Sequence, residues 1–369
     1  MKPSAVARIG VAALQNNFQQ VRNAAPGCPV LAVVKANAYG HGLLEVAGAL
    51  SSADALGVSR IEEAVRLRDA NIRQPIVVLS GFSDREGLEI SRQHDLQLVV
   101  HSEFQVELLE AVAGGRSPLT VWLKVDTGMG RLGVKPSEVK ATANRLRACS
   151  AIASDLRLMT HLACADDLAN GATTDQLRRF AKVAENWDAD ISIANSAGIL
   201  GWPQTTRPGP ELQYSGANWV RPGLMLYGVS PLLGKRLFEL GLQPVMTFET
   251  RLIAVDSVKR GSRVGYGGDW IATRDSVIGV AGAGYADGYP WRLGCGTPVL
   301  VNGKRAETVG RISMDLISID LTDLSSVNVG DPVVLWGGDP QVAELAGRAG
   351  TNAYELLTGV SDRVSRQVC

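Results

Sequence analysis

The sequence carries no excess of charge. Lys plus Arg and Asp plus Glu each number 37 among 369 residues, so the formal net charge is zero. This removes the usual electrostatic argument for a nucleic-acid or anionic-membrane partner. Five cysteines, Cys28, Cys149, Cys164, Cys295 and Cys369, are odd in number and scattered, without a CxxC pair or a Cys/His cluster of metal-ligand spacing. Neither a bound metal nor a disulfide framework is expected, and a reducing, cytoplasmic setting fits best. Arg8 interrupts the N-terminal apolar run before it reaches signal-peptide length, and no later run approaches the roughly 18 apolar residues of a membrane span. Lysine is scarce too: nine of the 37 basic residues are Lys, against 28 Arg, so each lysine can be inspected individually.

What is present is ample core material. Hydrophobic residues make up 46% and charged ones 20%, which excludes a disordered chain. The length is about 2.5 times that of a ~150-residue domain and predicts two domains, or one large barrel with an appendage. From residue 30 to about 230 one pattern repeats: a short aliphatic run, a polar turn, then a stretch of helical spacing. The runs are VLAVVK, ALGV, PIVVLSG, LQLVVHS, LTVWLKVDTG, LRLMTHL, DISIANS and WVRPGLMLYG. Strand-length runs buried on both faces and alternating with helices mean parallel βα units. Eight such units predict an α/β fold of the (β/α)8 barrel type, with a doubly wound sheet as the alternative. After about residue 240 short alternating strands broken by Gly, Asp and Asn predict a mainly β second domain. Within it Asn302-Gly303 signals a type I′ hairpin. The division is expected as 1–237 and 238–369, with the first few residues able to pack against the C-terminal domain.

In such a barrel, function is written at the C-terminal strand ends. Those ends read Lys35, His101, Lys124, His161, Asn195 with Ser196, and Arg221. One lysine ending a strand can simply snorkel to solvent. Two, sharing a ring with two histidines and an arginine, point instead to a desolvated amine of lowered proton affinity, a candidate Schiff-base nucleophile. The cofactor that most often uses such a lysine is pyridoxal 5'-phosphate (PLP), which needs a phosphate cradle and a partner for its ring nitrogen. The loops Asn195–Gly198 and Pro222–Leu224 stand where a barrel carries its phosphate site, although any one glycine among 40 is weak evidence. Arg221 is either the ring-nitrogen partner or an arginine ion-paired in the barrel mouth. As a partner it stays protonated and leaves the nitrogen without a proton, which favours return of a proton to Cα over side reactions.

The ordered blocks AVVKANAYGHG (32–42), WLKVDTGMGRLG (122–133), THLACAD (160–166), ANSAGIL (194–200), VRPGLMLYG (220–228), VGYGGDW (264–270), GYADGYP (284–290), GRISMD (310–315) and AYELL (353–357) span nearly the whole chain. In them the sequence resembles the alanine racemase family. The resemblance implies a PLP-dependent isomerase that interconverts L- and D-alanine for peptidoglycan, built as a homodimer with shared active sites. It makes Lys35 the cofactor lysine and the base on one face of the substrate. The opposite base is Tyr266 from the other subunit, assisted by His161 hydrogen-bonded to Arg221. Tyr39, Ser196, Gly223, Leu224 and Tyr354 become the phosphate cradle, and Arg221 faces the ring nitrogen. Arg131 and Met314 are implied at the substrate carboxylate, and Lys124 as a position that is carbamylated in some members. Tyr285, Asp315, Arg311 and Asp166 are implied to line the entry channel.

The sequence departs from the family pattern at Trp291, where an arginine is expected, at Asn352, where a small apolar residue is common, and in the long approach RPGPELQYSGAN (207–218). Trp291 and Asn352 fall near the implied channel. A racemase of broader or serine preference is the alternative within the class. A PLP decarboxylase would use a cysteine such as Cys295, and a PLP-binding regulatory protein would lack the β domain.

Overall fold

A computed structural model describes residues 5–112, 118–209 and 212–369. Positions 1–4, and positions 210 and 211 of the long approach, lie outside the described residues. Strand β1 (Val6–Ile9) is followed by β2 (Leu31–Val33), β3 (Ala55–Val58), β4 (Ile76–Val78), β5 (Leu96–Val100), β6 (Val121–Lys124), β7 (Arg157–Met159), β8 (Ile191–Asn195) and β9 (Asn218–Arg221). The eight strands from β2 to β9 pair in parallel in chain order. A parallel bridge between Val30 and Val220 brings the last strand against the first. Each strand from β2 to β8 falls inside one of the apolar runs of the sequence, and β9 begins one residue ahead of its run. β3, β4 and β6 are buried along their whole length, because one face fills the barrel and the other meets the surrounding helices. Arg157 lies over the rings of Trp122 and Trp219, at 5.2 and 5.7 Å from their centroids, at the N-terminal strand end. That end of the barrel is filled, and the C-terminal end is left open for chemistry.

The second sheet contains β10 (Met246–Val258), β13 (Ser276–Ala281), β14 (Pro298–Val301), β15 (Lys304–Val309), β16 (Ile317–Asp320), β17 (Pro332–Trp336) and β18 (Ser365–Val368). A separate small hairpin joins β11 (Arg263–Val264) to β12 (Trp270–Ile271). The sheet order is β13-β16-β15-β14-β17-β10-β1-β18, and an additional β13–β10 pairing closes part of it into a ring. β10 is 13 residues long and pairs in succession with β1, β17 and β13. The hairpin between β14 and β15 turns on Asn302 (φ 49°) and Gly303 (φ 75°), both left-handed as a type I′ turn requires. Trp336, Phe248 and Tyr289 are fully buried beneath the sheet.

The first described residues pack with the second sheet, as its strand β1. One feature differs from the sequence pattern. The mainly β second unit also holds two helices, Val342–Ala349 and Ala353–Gly359. Their spacing is short, but Gly350 ends the first in the left-handed conformation and the Asn352 side chain caps the second by accepting from Glu355 N at 3.1 Å. Asn352 therefore has a local structural reason for its side chain.

Candidate active site

A cavity of about 860 Å³ opens at the C-terminal ends of the barrel strands. It gathers Lys35, Tyr39, Lys124, Arg131, His161, Asp166, Ser196, Arg221, Gly223, Leu224 and Tyr354. His101 does not line it; its Nε2 instead lies 3.1 Å from the Ser80 carbonyl.

The local backbone after β2 is unusual. Ala36, Asn37, Ala38 and Tyr39 all have φ between 52° and 54°, so a single left-handed turn of non-glycine residues follows Lys35 directly. Such a conformation costs roughly 1–2 kcal/mol per L-residue and rarely persists beyond one position. The surroundings hold it in place. His41 Nδ1 lies 2.8 Å from the Tyr39 carbonyl and 3.1 Å from that of Ala38, and Leu43 N donates to Asn37 Oδ1 at 2.9 Å. Tyr39 stacks on Tyr227 with centroids 4.6 Å apart, and the Tyr227 hydroxyl donates to the Val33 carbonyl at 2.9 Å.

The cavity is strongly cationic. Burial, then Arg131, lowers the proton affinity of the Lys35 amine, against an opposing pull from Glu63. Burial, then Arg221, Arg131 and Lys35, bring Lys124 down to about 8, against the pull of Asp126. Burial and the same cations push His161 well below the ordinary imidazole range, so its ring is neutral at physiological pH. Arg221 is buried, which lowers it to about 10. Its guanidinium donates to the Ser192 hydroxyl and to the carbonyls of Thr160 and Ile193. Among the described residues no carboxylate pairs with it, which removes the alternative of an ion-paired arginine in the barrel mouth. The implied hydrogen bond from His161 to Arg221 is also not formed. Buried N–H groups must find acceptors, and the strand carbonyls and Ser192 are those within reach.

Glycines shape two edges of the site. The Asp126 carboxylate accepts from the amides of Gly128, Met129 and Gly130 at 2.9 to 3.1 Å, folding the DTGMG segment so that it presents Arg131 at the cavity rim. On the other side Ser196 Oγ accepts from Gly223 N at 2.9 Å and Met225 N at 3.3 Å. A Cβ on Gly223 would lie 2.5 Å from the Tyr39 hydroxyl oxygen, so only glycine leaves this edge open.

The other sequence-marked residues stand apart, on the second sheet. Tyr266, Met314 and Tyr285 are 70%, 53% and 43% exposed and do not line the barrel cavity. They belong to neighbouring loops: Tyr285 N donates to Ser313 O at 3.1 Å. Arg311 Nε donates to Asp269 at 2.6 Å and so holds the loop carrying Tyr266, while Asp315 pairs with Arg363 at 2.7 Å. Trp291 is 58% exposed on the same unit. Cys295 is absent from the cavity, and its sulfur accepts from Gly310 N at 2.9 Å, leaving the decarboxylase alternative without a cysteine at the cavity. Glu63 and Arg366 carry no local signal of a site role, since the turn they hold lies on another element, while His41 stands beside that turn and bonds back to Ala38 and Tyr39.

The alanine racemase N-terminal domain model matches residues 9–231, and the alanine racemase C-terminal domain model matches residues 245–368. The alanine racemase of Vibrio cholerae is 45% identical over 361 residues, covering 98% of this chain and 97% of that one. The crystal structure of the biosynthetic alanine racemase from Pseudomonas aeruginosa superposes with a TM-score of 0.92 at 41% identity, over 100% of both chains. The alanine racemase of Bartonella henselae with covalently bound pyridoxal phosphate gives 0.85 at 29% identity, over 99% of both. With both domain models matched in order and the likeness running end to end, the chain belongs to the alanine racemase family, and so to the amino-acid isomerases.

Proposed function

We propose that the chain interconverts L- and D-alanine with PLP as cofactor, in a cytoplasmic homodimer whose sites each combine Lys35 of one subunit with the partner subunit's Tyr266. We divide it into a barrel domain at 1–237 and a β domain at 238–369. The observation that carries the reading is the pairing of a cationic barrel cavity around Lys35 with an exposed Tyr266 on the other unit that does not line that cavity.

The residues present fit PLP. A buried Arg221 without a carboxylate suits an uncharged ring nitrogen, the Ser196–Gly223 edge suits a phosphate, and Lys35 has a lowered proton affinity beside both. Tyr39, Leu224 and Tyr354 complete that edge, and the Bartonella henselae relative carries pyridoxal phosphate covalently. When bound, PLP supplies the electron sink that makes the Cα proton of an amino acid removable. Lys35 moves that proton on one face, because its amine is already easier to deprotonate than a free lysine. The partner subunit's Tyr266 moves it on the other. His161, neutral at working pH, accepts the tyrosine hydroxyl's hydrogen bond, and burial, aided by Arg221, keeps the imidazole from protonating. Arg131 and the partner subunit's Met314 hold the substrate carboxylate. Lys124, with an amine near 8, is readily carbamylated, and its acquired negative charge then steadies Arg131. Asp166, with Tyr285, Arg311 and Asp315, forms the channel.

Chiral chromatography of products from a panel of L-amino acids with added PLP tests the reading. D-alanine should dominate. D-serine at an equal or greater rate would favour the broader-specificity alternative, and no inversion of any amino acid would refute the function.

A further inference from the structure

The left-handed turn after Lys35 is gripped at both ends by side chains far away in sequence. At its start Glu63 Oε1 accepts from Ala36 N at 2.7 Å, and Oε2 of the same carboxylate accepts from Ser59 N at 2.9 Å and Arg60 N at 3.2 Å. At its end Arg366 Nε, on β18, donates to the Gly40 carbonyl at 2.7 Å. The same guanidinium donates to Val360 O at 2.8 Å and to Ser361 O and Val364 O, both at 3.4 Å. Residue 40 lies so close to the helix that carries Tyr354 that a Cβ there would meet the Leu357 carbonyl at 2.0 Å.

We propose that Arg366 is a positioning residue for Lys35, fixing through Gly40 the left-handed turn that Glu63 fixes from the other end. The proposal rests on the reading of Lys35 as the cofactor lysine. Lys35 is the residue before the first left-handed position, so any unwinding of the turn re-aims it and moves Tyr39 with it. Arginine suits this task, since its rigid fork of donors spans acceptors on two units at once. Three of its acceptors belong to the 360–364 loop and the fourth to the turn, so the guanidinium bolts the second unit to the barrel's key backbone. That loop also reaches the exposed half of the chemistry. Ser361 N donates to Asp287 O at 3.1 Å, and Arg363 pairs with Asp315 at 2.7 Å and Asp287 at 3.6 Å. Through Arg366, one loop is thus tied to the Lys35 turn on one side and directly to the segments bearing Tyr285 and Met314 on the other.

The test compares the full chain with its Arg366→Ala, Arg366→Lys and Glu63→Gln variants, each purified with cofactor, by hydrogen-exchange mass spectrometry and alanine racemisation. Amides of Ala38, Gly40, His41 and Gly42 are hydrogen-bonded within the turn, so they report its opening. In Arg366→Ala, exchange over 35–43 should rise roughly tenfold while β3–β6 stay unchanged, the scale of one lost charged hydrogen bond. Turnover kcat should fall about tenfold with KM for alanine moving by less than about threefold, the split expected of a misplaced reacting group rather than lost binding. Arg366→Lys should recover part of both, and Glu63→Gln should loosen the same peptide. Unchanged exchange over 35–43 in both Arg366→Ala and Glu63→Gln overturns the proposal. So does exchange raised equally across the second sheet with kcat retained. If Arg366→Ala does not fold, Arg366→Lys and Glu63→Gln decide by the same criteria. Borohydride reduction of the unaltered protein runs alongside: a cofactor label away from Lys35 sinks the reading beneath the proposal. A label on Lys35 with unchanged exchange sinks the positioning role alone.

Discussion

The barrel mouth and the exposed face of the second sheet carry the candidate chemistry in opposite ways. The mouth is concave and closely packed, and burial together with its neighbouring cations lowers the proton affinity of Lys35, Lys124 and His161. The face leaves Tyr266, Met314 and Tyr285 open to solvent, tied down mainly by surface pairs such as Arg311 with Asp269. A desolvated pocket can tune a base by itself. An exposed tyrosine cannot, and acquires a function only when another molecule supplies the pocket. In the proposed function neither half is a site alone, and each prediction attacks one half or the join between them.

The largest effect belongs to the mouth. Lys35→Ala should lower alanine racemisation by at least about 10³-fold, and borohydride should no longer fix PLP to the chain; a variant retaining near-normal activity would remove Lys35 from the mechanism. Tyr266→Phe probes the face. Proton abstraction from L-alanine should fall by about 10²–10⁴-fold and abstraction from D-alanine much less, judged by solvent deuterium entry from each enantiomer. Equal losses in both directions would break the two-face division. The join comes next. Mixed after subunit exchange, inactive Lys35→Ala and Tyr266→Ala chains should regain up to about one quarter of normal activity, because half of a random mixture is hybrid and each hybrid keeps one intact site. No recovery despite demonstrated exchange would mean that sites are not shared.

Stability against pH sharpens the account of the buried half. His41 is fully buried beside Tyr227, and desolvation lowers it to about 4. The folded value lies below the unfolded ~6.5, so the unfolded chain binds the proton first. The contribution is complete above about pH 6.5 and is lost as pH falls toward 4, by about 3 kcal/mol at most. Urea midpoints from pH 8 to pH 5 should therefore fall less steeply for His41→Asn than for the unaltered chain, and equal slopes would refute the assignment. The smallest effect is on the exposed half. Arg311 and Asp269 are about half exposed, so Arg311→Ala should cost less than about 1 kcal/mol of stability. A larger drop in the urea midpoint would show that the Tyr266 loop is more firmly built than its exposure suggests.

Much of the barrel is legible in the sequence because two-sided burial writes uninterrupted aliphatic runs, as in ALGV and PIVV. The strand-end lysines stand out for the same reason, since a charge abutting such a run is conspicuous when lysines are few. The Asn302-Gly303 turn is legible because its left-handed geometry selects those residues. The turn at 36–39 is not. Ala-Asn-Ala-Tyr holds no glycine to announce left-handed backbone, and what enforces it comes from His41 just beyond it and from Glu63 and Arg366, whose contacts are tertiary. The helices Val342–Ala349 and Ala353–Gly359 escape notice because each spans only about two turns, too short for a helical period to rise above the strand pattern around it.

The pairing of β1 with β10 and β18 bears on the order in which the molecule assembles. Arg8 meets Glu249 across 241 residues and Gln367 across 359, so the first strand meets β10 only after the whole barrel has been made, and β18 later still. The barrel lies wholly between those pairings, and every one of its strands is available earlier. A ribosome-bound chain should therefore complete the barrel while β1 waits unpaired, and the second sheet should close last. The hydrogen bond from Arg366 to Gly40 belongs to that final stage. The reactive turn would reach its fixed geometry only after β18 has emerged.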